Sequence, residues 1–148
     1  MPSDAGLAAL EDLYRYDLMA TEFTIVLEDR PGALARLCTV LGDGRVNIEA
    51  IQGTSREGQA VVHVIANDAD RAGRLLAAAE ISFRRREVLV VRVLDQPGML
   101  GDVALVMSRA SINIDSIYVT TRGHIVLGVD DLDGAIQVAG GMAVMPPD

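Results

Sequence analysis

The stretch Glu28-Asp29-Arg30-Pro31-Gly32-Ala33-Leu34 decides the fold, because most of it occurs twice in the chain. The second copy, Leu94-Asp95-Gln96-Pro97-Gly98-Met99-Leu100, begins 66 residues later. Each copy follows an apolar run typical of a β-strand and precedes apolar residues at helical spacing. Proline favours a first helical turn, and glycine lets the backbone approach another group closely. The stretch therefore predicts a strand-to-helix turn in each half of the chain.

A turn of this kind leaves the first amide N–H groups of the helix without intrahelical partners, at the positive end of the helix dipole. This geometry binds anions. The alternative is an ordinary turn in which the aspartate caps the helix. Because the pattern occurs in both halves, it favours a binding site.

Length and composition limit the class of protein. The chain has 148 residues, of which half are hydrophobic and 3% aromatic, so we expect one domain or two small ones with an aliphatic core. The net charge of -8 argues against a nucleic-acid partner, and no apolar run reaches the roughly twenty residues of a membrane span. A single cysteine excludes an internal disulfide, and the N-terminus lacks a basic n-region. We therefore expect a cytoplasmic protein.

Residue types suited to catalysis are few. All thirteen positive charges are arginine, which excludes a Schiff-base lysine and the lysine of a phosphate-binding loop. Cys38 lies on an apolar helical stripe, and His63 lies among valines without a carboxylate or cysteine close in sequence, so both are interpreted as structural. We expect no enzyme activity, no cofactor and no metal site. A small enzyme using His63 or His124 with an aspartate is the least favoured alternative.

The order of predicted elements repeats along the chain. Each half reads β-α-β-β-α-β, with Asn67-Asp68 capping the second helix of the first half. The pattern predicts an α+β fold of two ferredoxin-like βαββαβ repeats, with antiparallel sheets and helices on one face. The predicted segments are a 1–21 N-terminal extension, a first repeat at 22–86 and a second repeat at 87–148.

Three local interpretations accompany this scheme. The first repeat is expected to end with a short strand at 81–84, and the second to begin with a strand at 88–94 and to end with one at 142–145. Leu7, Leu10, Tyr14 and Leu18 recur at near-helical spacing, which allows a short docking helix, although a frayed extension is favoured. Arg84-Arg85-Arg86 is interpreted as solvated or paired with acids.

The pattern Asp-x-Pro-Gly-x-Leu after the first strand, followed by Val/Ile-Asn-Ile at the start of the second, resembles the ACT domain family. The resemblance covers residues 22–145 as a tandem pair. It implies a small module that senses amino acids, as found in regulated enzymes such as phosphoglycerate dehydrogenase and aspartate kinase. Proteins that resemble this chain, with two ACT units and no catalytic domain, are ligand-binding or regulatory.

The resemblance also implies where effectors bind, namely at interfaces between units, near the Pro-Gly loops and the asparagine of the second strand. In the first copy the matching positions are Asp29, Pro31, Gly32, Ala33, Leu34, Asn47 and Ile48. In the second copy they are Asp95, Gly98, Met99, Leu100, Asn113 and Ile114. Some serine-sensing members carry an amide in place of Asp29 and Asp95 and a histidine in place of Leu27 and Val93. This difference argues against serine as the ligand.

The residue types at these positions suit a zwitterion. Amides of Gly32 to Leu34, or of Gly98 to Leu100, supply donors for its carboxylate. Asp29 or Asp95 supplies an acceptor for its ammonium group. The apolar neighbours Ala33 and Met99 hint at an aliphatic or sulfur-containing ligand side chain.

The asparagines allow two interpretations. Asn47 and Asn113 each carry a donor and an acceptor, so either could contact one end of the ligand. Alternatively, each is a turn residue that tolerates left-handed φ before a strand. The leading hypothesis is a non-catalytic, homodimeric amino-acid sensor that binds neither nucleic acid nor membrane. The alternative is a regulatory subunit of a separate amino-acid biosynthetic enzyme, which would be its catalytic partner.

Overall fold

The structure, a computed structural model, describes residues 19–143, with side chains described as far as residue 140. The proposed helix around Leu7 to Leu18 lies outside this range. The helices are α1 (Ala33–Asp43), α2 (Ala69–Ala78), α3 (Met99–Arg109) and α4 (Leu132–Ala143). The strands are β1 (Met19–Glu28), β2 (Ile48–Arg56), β3 (Gln59–Ala66), β4 (Arg84–Val91), β5 (Ile114–Val119) and β6 (Ile125–Val129).

The described residues form two compact units. The first unit holds residues 21–86 and Tyr118–Arg122, and the second holds residues 87–117 and 123–143 together with Met19 and Ala20. Each unit carries the β-α-β-β-α order of the predicted repeat. The predicted α+β class with two ferredoxin-like repeats is therefore confirmed.

The first unit packs two helices on one face of its sheet. β3 pairs antiparallel with both β1 and β2, and Thr24 stands opposite His63 in the first of these pairs. Alternate strand residues face the helices, because side chains along a strand point to opposite sides. The buried core contains Phe23, Ile25, Val62 and Val64 from the strands, and Leu37, Leu41, Ala72 and Leu76 from α1 and α2.

The second unit repeats this arrangement. β4 pairs antiparallel with β6, which places Leu89 opposite Leu127, and β5 is the neighbour of β6 on its other side. The buried core contains Leu89, Val91, Ile125 and Leu127 from the strands, and Val103, Met107, Ala135 and Ala139 from α3 and α4.

Three predicted strands differ from the structure. A single strand, β4, replaces the short strand expected at 81–84 and most of that expected at 88–94. Ile81 is instead buried in the core directly after α2, and its N–H donates to the Leu76 carbonyl at 2.9 Å. Of the last strand expected at 142–145, Met142 and Ala143 belong to α4, and the other two residues lie outside the described range.

The helix-free face of the first unit contains a fully buried carboxylate. Glu22 Oε1 accepts a hydrogen bond from Arg86 Nε at 2.8 Å, and Oε2 accepts one from the Tyr118 hydroxyl at 2.6 Å. His63 Nδ1 lies 3.6 Å from Oε1 and 3.0 Å from Thr24 Oγ1. The carboxylate is thus compensated by several partners, which the burial of a charge requires.

The segment Tyr118–Arg122 joins the first unit through this carboxylate and through the start of β2. Thr120 forms a bridge with Ala50, and the Thr121 N–H donates to the Glu49 carbonyl at 2.8 Å. The arginine cluster behaves as expected from the sequence. Arg86 pairs with Glu22, and Arg85 Nη2 lies 3.7 Å from Asp70 Oδ1.

Replacing Tyr118 with phenylalanine should destabilise the protein, because it removes a hydrogen bond from a buried carboxylate. We expect the free energy of unfolding in urea to fall by about 1–3 kcal/mol. Val119→Ala is the matched control, since Val119 is 54% exposed, and it should change stability by less than about 0.5 kcal/mol. Equally small effects of the two substitutions would contradict the role assigned to Tyr118.

The same tyrosine should make stability fall at alkaline pH. Burial, followed by the hydrogen bond to Glu22, raises the pKa of Tyr118 far above its ordinary value of 10.0. Above pH 10 the unfolded tyrosine loses its proton while the folded one keeps it, so stability decreases as pH rises. Above pH 10 the free energy of unfolding of the wild-type protein should fall by up to about 1.4 kcal/mol more per pH unit than that of Tyr118→Phe. Parallel urea-unfolding profiles of the two proteins between pH 9 and 11 would refute this expectation.

Candidate functional site

A cavity of about 400 Å³ lies beside the first Pro-Gly stretch. Its wall is built from the end of β1 and the following turn, from the first turn of α1, and from facing parts of β2 and β3. The lining residues are Leu27, Glu28, Asp29, Arg30, Ala33, Leu34, Ile51, Gly53, Thr54, Ser55, Ala60 and Val62. Three of the predicted site residues, Asp29, Ala33 and Leu34, therefore line one cavity.

Small side chains create this space. The antiparallel pairing of β2 and β3 places Gly53 opposite Val62 and Ser55 opposite Ala60. Ala33 contributes a further small side chain from α1. Because three of the four paired strand residues are also small, the helix start and the strands leave a gap that a ligand can enter.

The Pro-Gly corner uses glycine for its backbone conformation. Gly32 is the N-cap of α1 with φ 91°, and Gly98 is the N-cap of α3 with φ 90°. A Cβ at either position would meet no atom within 4 Å. No other part of the described chain therefore approaches these glycines closely, and the positive φ explains the residue type. The sequence suggested that Pro31 lies in the first helical turn. It precedes the N-cap Gly32 instead.

The aspartate of the corner is not a helix cap. The N-cap of α1 is Gly32, which has no side-chain capping bond, and the Asp29 N–H donates to the Gly58 carbonyl at 3.1 Å. The exposed Asp29 carboxylate lines the cavity. One of the amides expected to bind the ligand is engaged within the turn, because the Ala33 N–H donates to the Arg30 carbonyl at 3.3 Å.

The backbone N–H groups of the two predicted asparagines form hydrogen bonds just before strands β2 and β5. The Asn47 N–H donates to Asn67 Oδ1 at 2.9 Å, and the Asn113 N–H donates to Asp130 Oδ1 at the same distance. Left-handed φ occurs two residues earlier, at Arg45 and Ser111, so the left-handed interpretation of the asparagines is wrong. Neither Asn47 nor the adjacent Ile48 is part of the cavity wall.

The second copy of the corner has a larger side chain at the first position of its helix, where Met99 replaces Ala33. Met99 is partly buried, and Leu100 is 44% exposed at the start of α3. Asp95, Gly98 and Asn113 are exposed, and Ile114 packs partly against the second core. Ligand contact by these six residues stays a prediction.

The cavity combines a charged mouth with an apolar wall. Arg30 Nε donates to Glu28 Oε2 at 2.6 Å, and both side chains are largely exposed. Leu27, Ile51 and Val62 form the apolar part of the wall. This division suits a small molecule with a charged end and an apolar end, since ligand sites combine apolar lining with a few polar groups.

Sequence reasoning missed Ile51 and Gly53, which both line the cavity. The available signal was a glycine inside a strand, which marks a bulge or the close approach of another group. It also missed the carboxylate beside His63, because Glu22 is distant in sequence and reaches the imidazole through the pairing of β1 with β3.

The thiol and the imidazole fit the structural interpretation. Burial raises the pKa of the Cys38 thiol, which keeps it protonated and weakly nucleophilic at neutral pH. The His63 imidazole is hydrogen-bonded to the Thr24 hydroxyl and lies beside the buried Glu22 carboxylate. Within residues 19–143, no cluster of three or more His, Cys, Asp or Glu is placed to hold a metal ion. No helix in the same part of the chain is long and apolar enough to cross a membrane.

Comparisons with known structures support the fold. A protein from Bacteroides thetaiotaomicron is 21% identical, with a TM-score of 0.79, over 85% of this chain and 90% of that one. The ligand-free regulatory subunit of aspartate kinase from Thermus thermophilus is 18% identical, with a TM-score of 0.59, over 84% and 91%. Aspartate kinase from Synechocystis is 18% identical, with a TM-score of 0.57, over 88% of this chain and 27% of that one.

The comparison with protein families concerns both repeats. No curated protein sequence matches the chain. The sequence profile of the ACT domain matches residues 21–82 and again residues 88–137, which together make up well over half of the chain. Both matched segments contain a Pro-Gly corner with a left-handed glycine. The chain belongs to the ACT domain family, as a tandem pair of ACT domains.

Proposed function

We propose that this chain is a regulatory protein without a catalytic centre, which binds a free amino acid in the cavity beside Gly32. ACT domains are regulatory modules that bind amino acids. The observation that carries the proposal is the cavity itself, which is lined by Asp29, Ala33 and Leu34. A cavity of about 400 Å³ lies at the small end of the range for ligand sites.

The two ends of an amino acid find different partners in this cavity. The Asp29 carboxylate accepts a charge-assisted hydrogen bond from the ligand ammonium group. Amides of the first helical turn and the Arg30 guanidinium offer positive charge to the ligand carboxylate. In the second repeat, Asp95 and Gly98 are the corresponding candidates. The proposed setting is the cytoplasm, in line with the single cysteine.

We further propose that the chain forms a homodimer that covers the cavity mouth. Leu34 is 51% exposed and Ile51 is 42% exposed, although both line the cavity. Their counterparts in the second repeat, Leu100 and Ile117, are exposed to a similar degree. Exposed apolar pairs at matching places in both repeats support a surface that a second copy covers.

A second candidate function is that of a regulatory subunit for a separate catalytic chain. The structural likeness to the regulatory subunit of aspartate kinase from Thermus thermophilus favours it. A catalytic chain that copurifies in a fixed ratio with this protein from native lysate would distinguish the subunit from an independent sensor.

Replacing Asp29 with alanine should weaken amino-acid binding, because it removes the acceptor for the ammonium group. Calorimetry of the full chain against the twenty amino acids identifies the ligand. Asp29→Ala should then raise its Kd about 10- to 100-fold, as expected for a hydrogen bond to a charged group. Asp43→Ala, at the other end of the same helix, is the control and should leave the Kd unchanged. Failure of all twenty amino acids to bind would refute the proposed function.

Polar substitutions on the exposed apolar pair should weaken the dimer. Leu34→Ser combined with Ile51→Ser removes apolar area from the proposed interface, and each buried side chain of this size contributes about 1.5–3 kcal/mol. We expect the dimer Kd in analytical ultracentrifugation to rise at least about tenfold. Leu105→Ser is the control, because Leu105 is 48% exposed on α3. A monomeric wild-type protein, or equal effects of the control, would contradict the proposed interface.

A further inference from the structure

We infer that the chain binds one amino acid, in the first repeat only, and that Gly53 provides the space for an aliphatic ligand side chain. The inference rests on the proposed function. It narrows that function to one of the two repeats and to one class of ligand.

Three of the four small residues that line the first cavity have larger counterparts in the second repeat. Positions 66 residues apart correspond, as shown by the two N-cap glycines and by the left-handed residues Arg45 and Ser111. At this spacing the replacements are Ala33 by Met99, Gly53 by Val119, and Ser55 by Thr121. Each counterpart is a larger residue type than the one that lines the first cavity.

The strand that forms the cavity wall also takes a different course in the second repeat. β2 continues to Arg56 and remains paired with β3 as far as Gln59. β5 ends at Val119, and the residues that follow bind elsewhere, because Thr120 bridges to Ala50 and the Thr121 N–H donates to Glu49. The counterpart of the wall segment is therefore committed to another contact.

The charged residues at the cavity mouth of the first repeat are replaced by uncharged residues in the second. The paired Glu28 and Arg30 of the first repeat correspond to Leu94 and Gln96 in the second. The second corner thus lacks the guanidinium that would attract a ligand carboxylate. Size, strand course and charge all assign the ligand to the first repeat.

The cavity wall determines the class of side chain. The charged groups among the lining residues lie in the turn from Glu28 to Arg30, whereas Leu27, Ile51 and Val62 form an apolar surface beside Gly53. The polar side chains of this wall are the uncharged hydroxyls of Thr54 and Ser55, and the Thr54 hydroxyl accepts a hydrogen bond from Gln52 Nε2 at 2.9 Å. A charged ligand side chain would lose water there without gaining a partner of opposite charge. An uncharged aliphatic side chain avoids this cost.

Calorimetry on the full chain tests the inference with L-valine, L-leucine and L-isoleucine, and with L-lysine and L-glutamate for comparison. We expect one ligand per chain and a preference for an aliphatic amino acid. Gly53→Val, which introduces the residue of the second repeat, should weaken binding at least about tenfold. Val119→Gly is the matched reverse change. It should leave both the affinity and the stoichiometry of one ligand per chain unchanged.

The backbone at Gly53 accommodates a Cβ atom. A Cβ there would meet Val62 Cγ2 at 3.6 Å, an ordinary contact, and the φ of Gly53 is not in the left-handed region. Thermal unfolding checks this point. If the valine variant is unstable, Gly53→Ala takes its place. It adds a single methyl group and should therefore give a smaller loss of affinity.

The outcomes separate this inference from the function on which it rests. Two ligands per chain, unchanged affinity in both Gly53 variants, or equal weakening by Val119→Gly would overturn the assignment to the first repeat. Tighter binding of lysine or glutamate would overturn the aliphatic class and leave an amino-acid sensor. No binding of any of the twenty amino acids would refute the proposed function itself.

Discussion

The structure depends on a backbone constraint, the positive φ of the glycine after each proline. Gly32 and Gly98 take nearly the same left-handed conformation, which glycine adopts without a steric cost. In the first repeat the helix begins at Ala33, five residues after β1 ends at Glu28, so α1 begins beside β2 and β3. The cavity exists because the helix starts there, next to strands whose facing residues are small. The corner thus supplies the geometry, and the neighbouring side chains decide whether it can hold a ligand.

The two repeats show how one backbone design can carry different properties. Both have the glycine N-cap and the same order of helices and strands. In both, the asparagine N–H donates to a side-chain oxygen of the residue that follows the hairpin. They differ in side-chain volume near the corner and in the course of the strand after Val119. Because a fold alone does not define a function, the proposed difference in binding rests on these side chains and not on the shared family.

The sequence predicted what depends on local patterns. The duplicated Pro-Gly corner and the apolar periodicity gave the repeats, the α+β class and three residues that line the cavity. Contacts set by strand pairing were not predictable in this way. Gly53 enters the wall through its register with Val62, and Tyr118 reaches Glu22 across a long sequence separation. The two strands predicted around residues 81–94 form one, because Ile81 packs into the core before the strand begins.

The most direct test of this account is a crystal structure of the full chain grown with the aliphatic amino acid that binds most tightly. The account predicts electron density for one ligand per chain, with its charged end at the Asp29 turn and its side chain against Gly53. Density at the corner beside Gly98, or a first cavity filled by side chains of the protein itself, would contradict it.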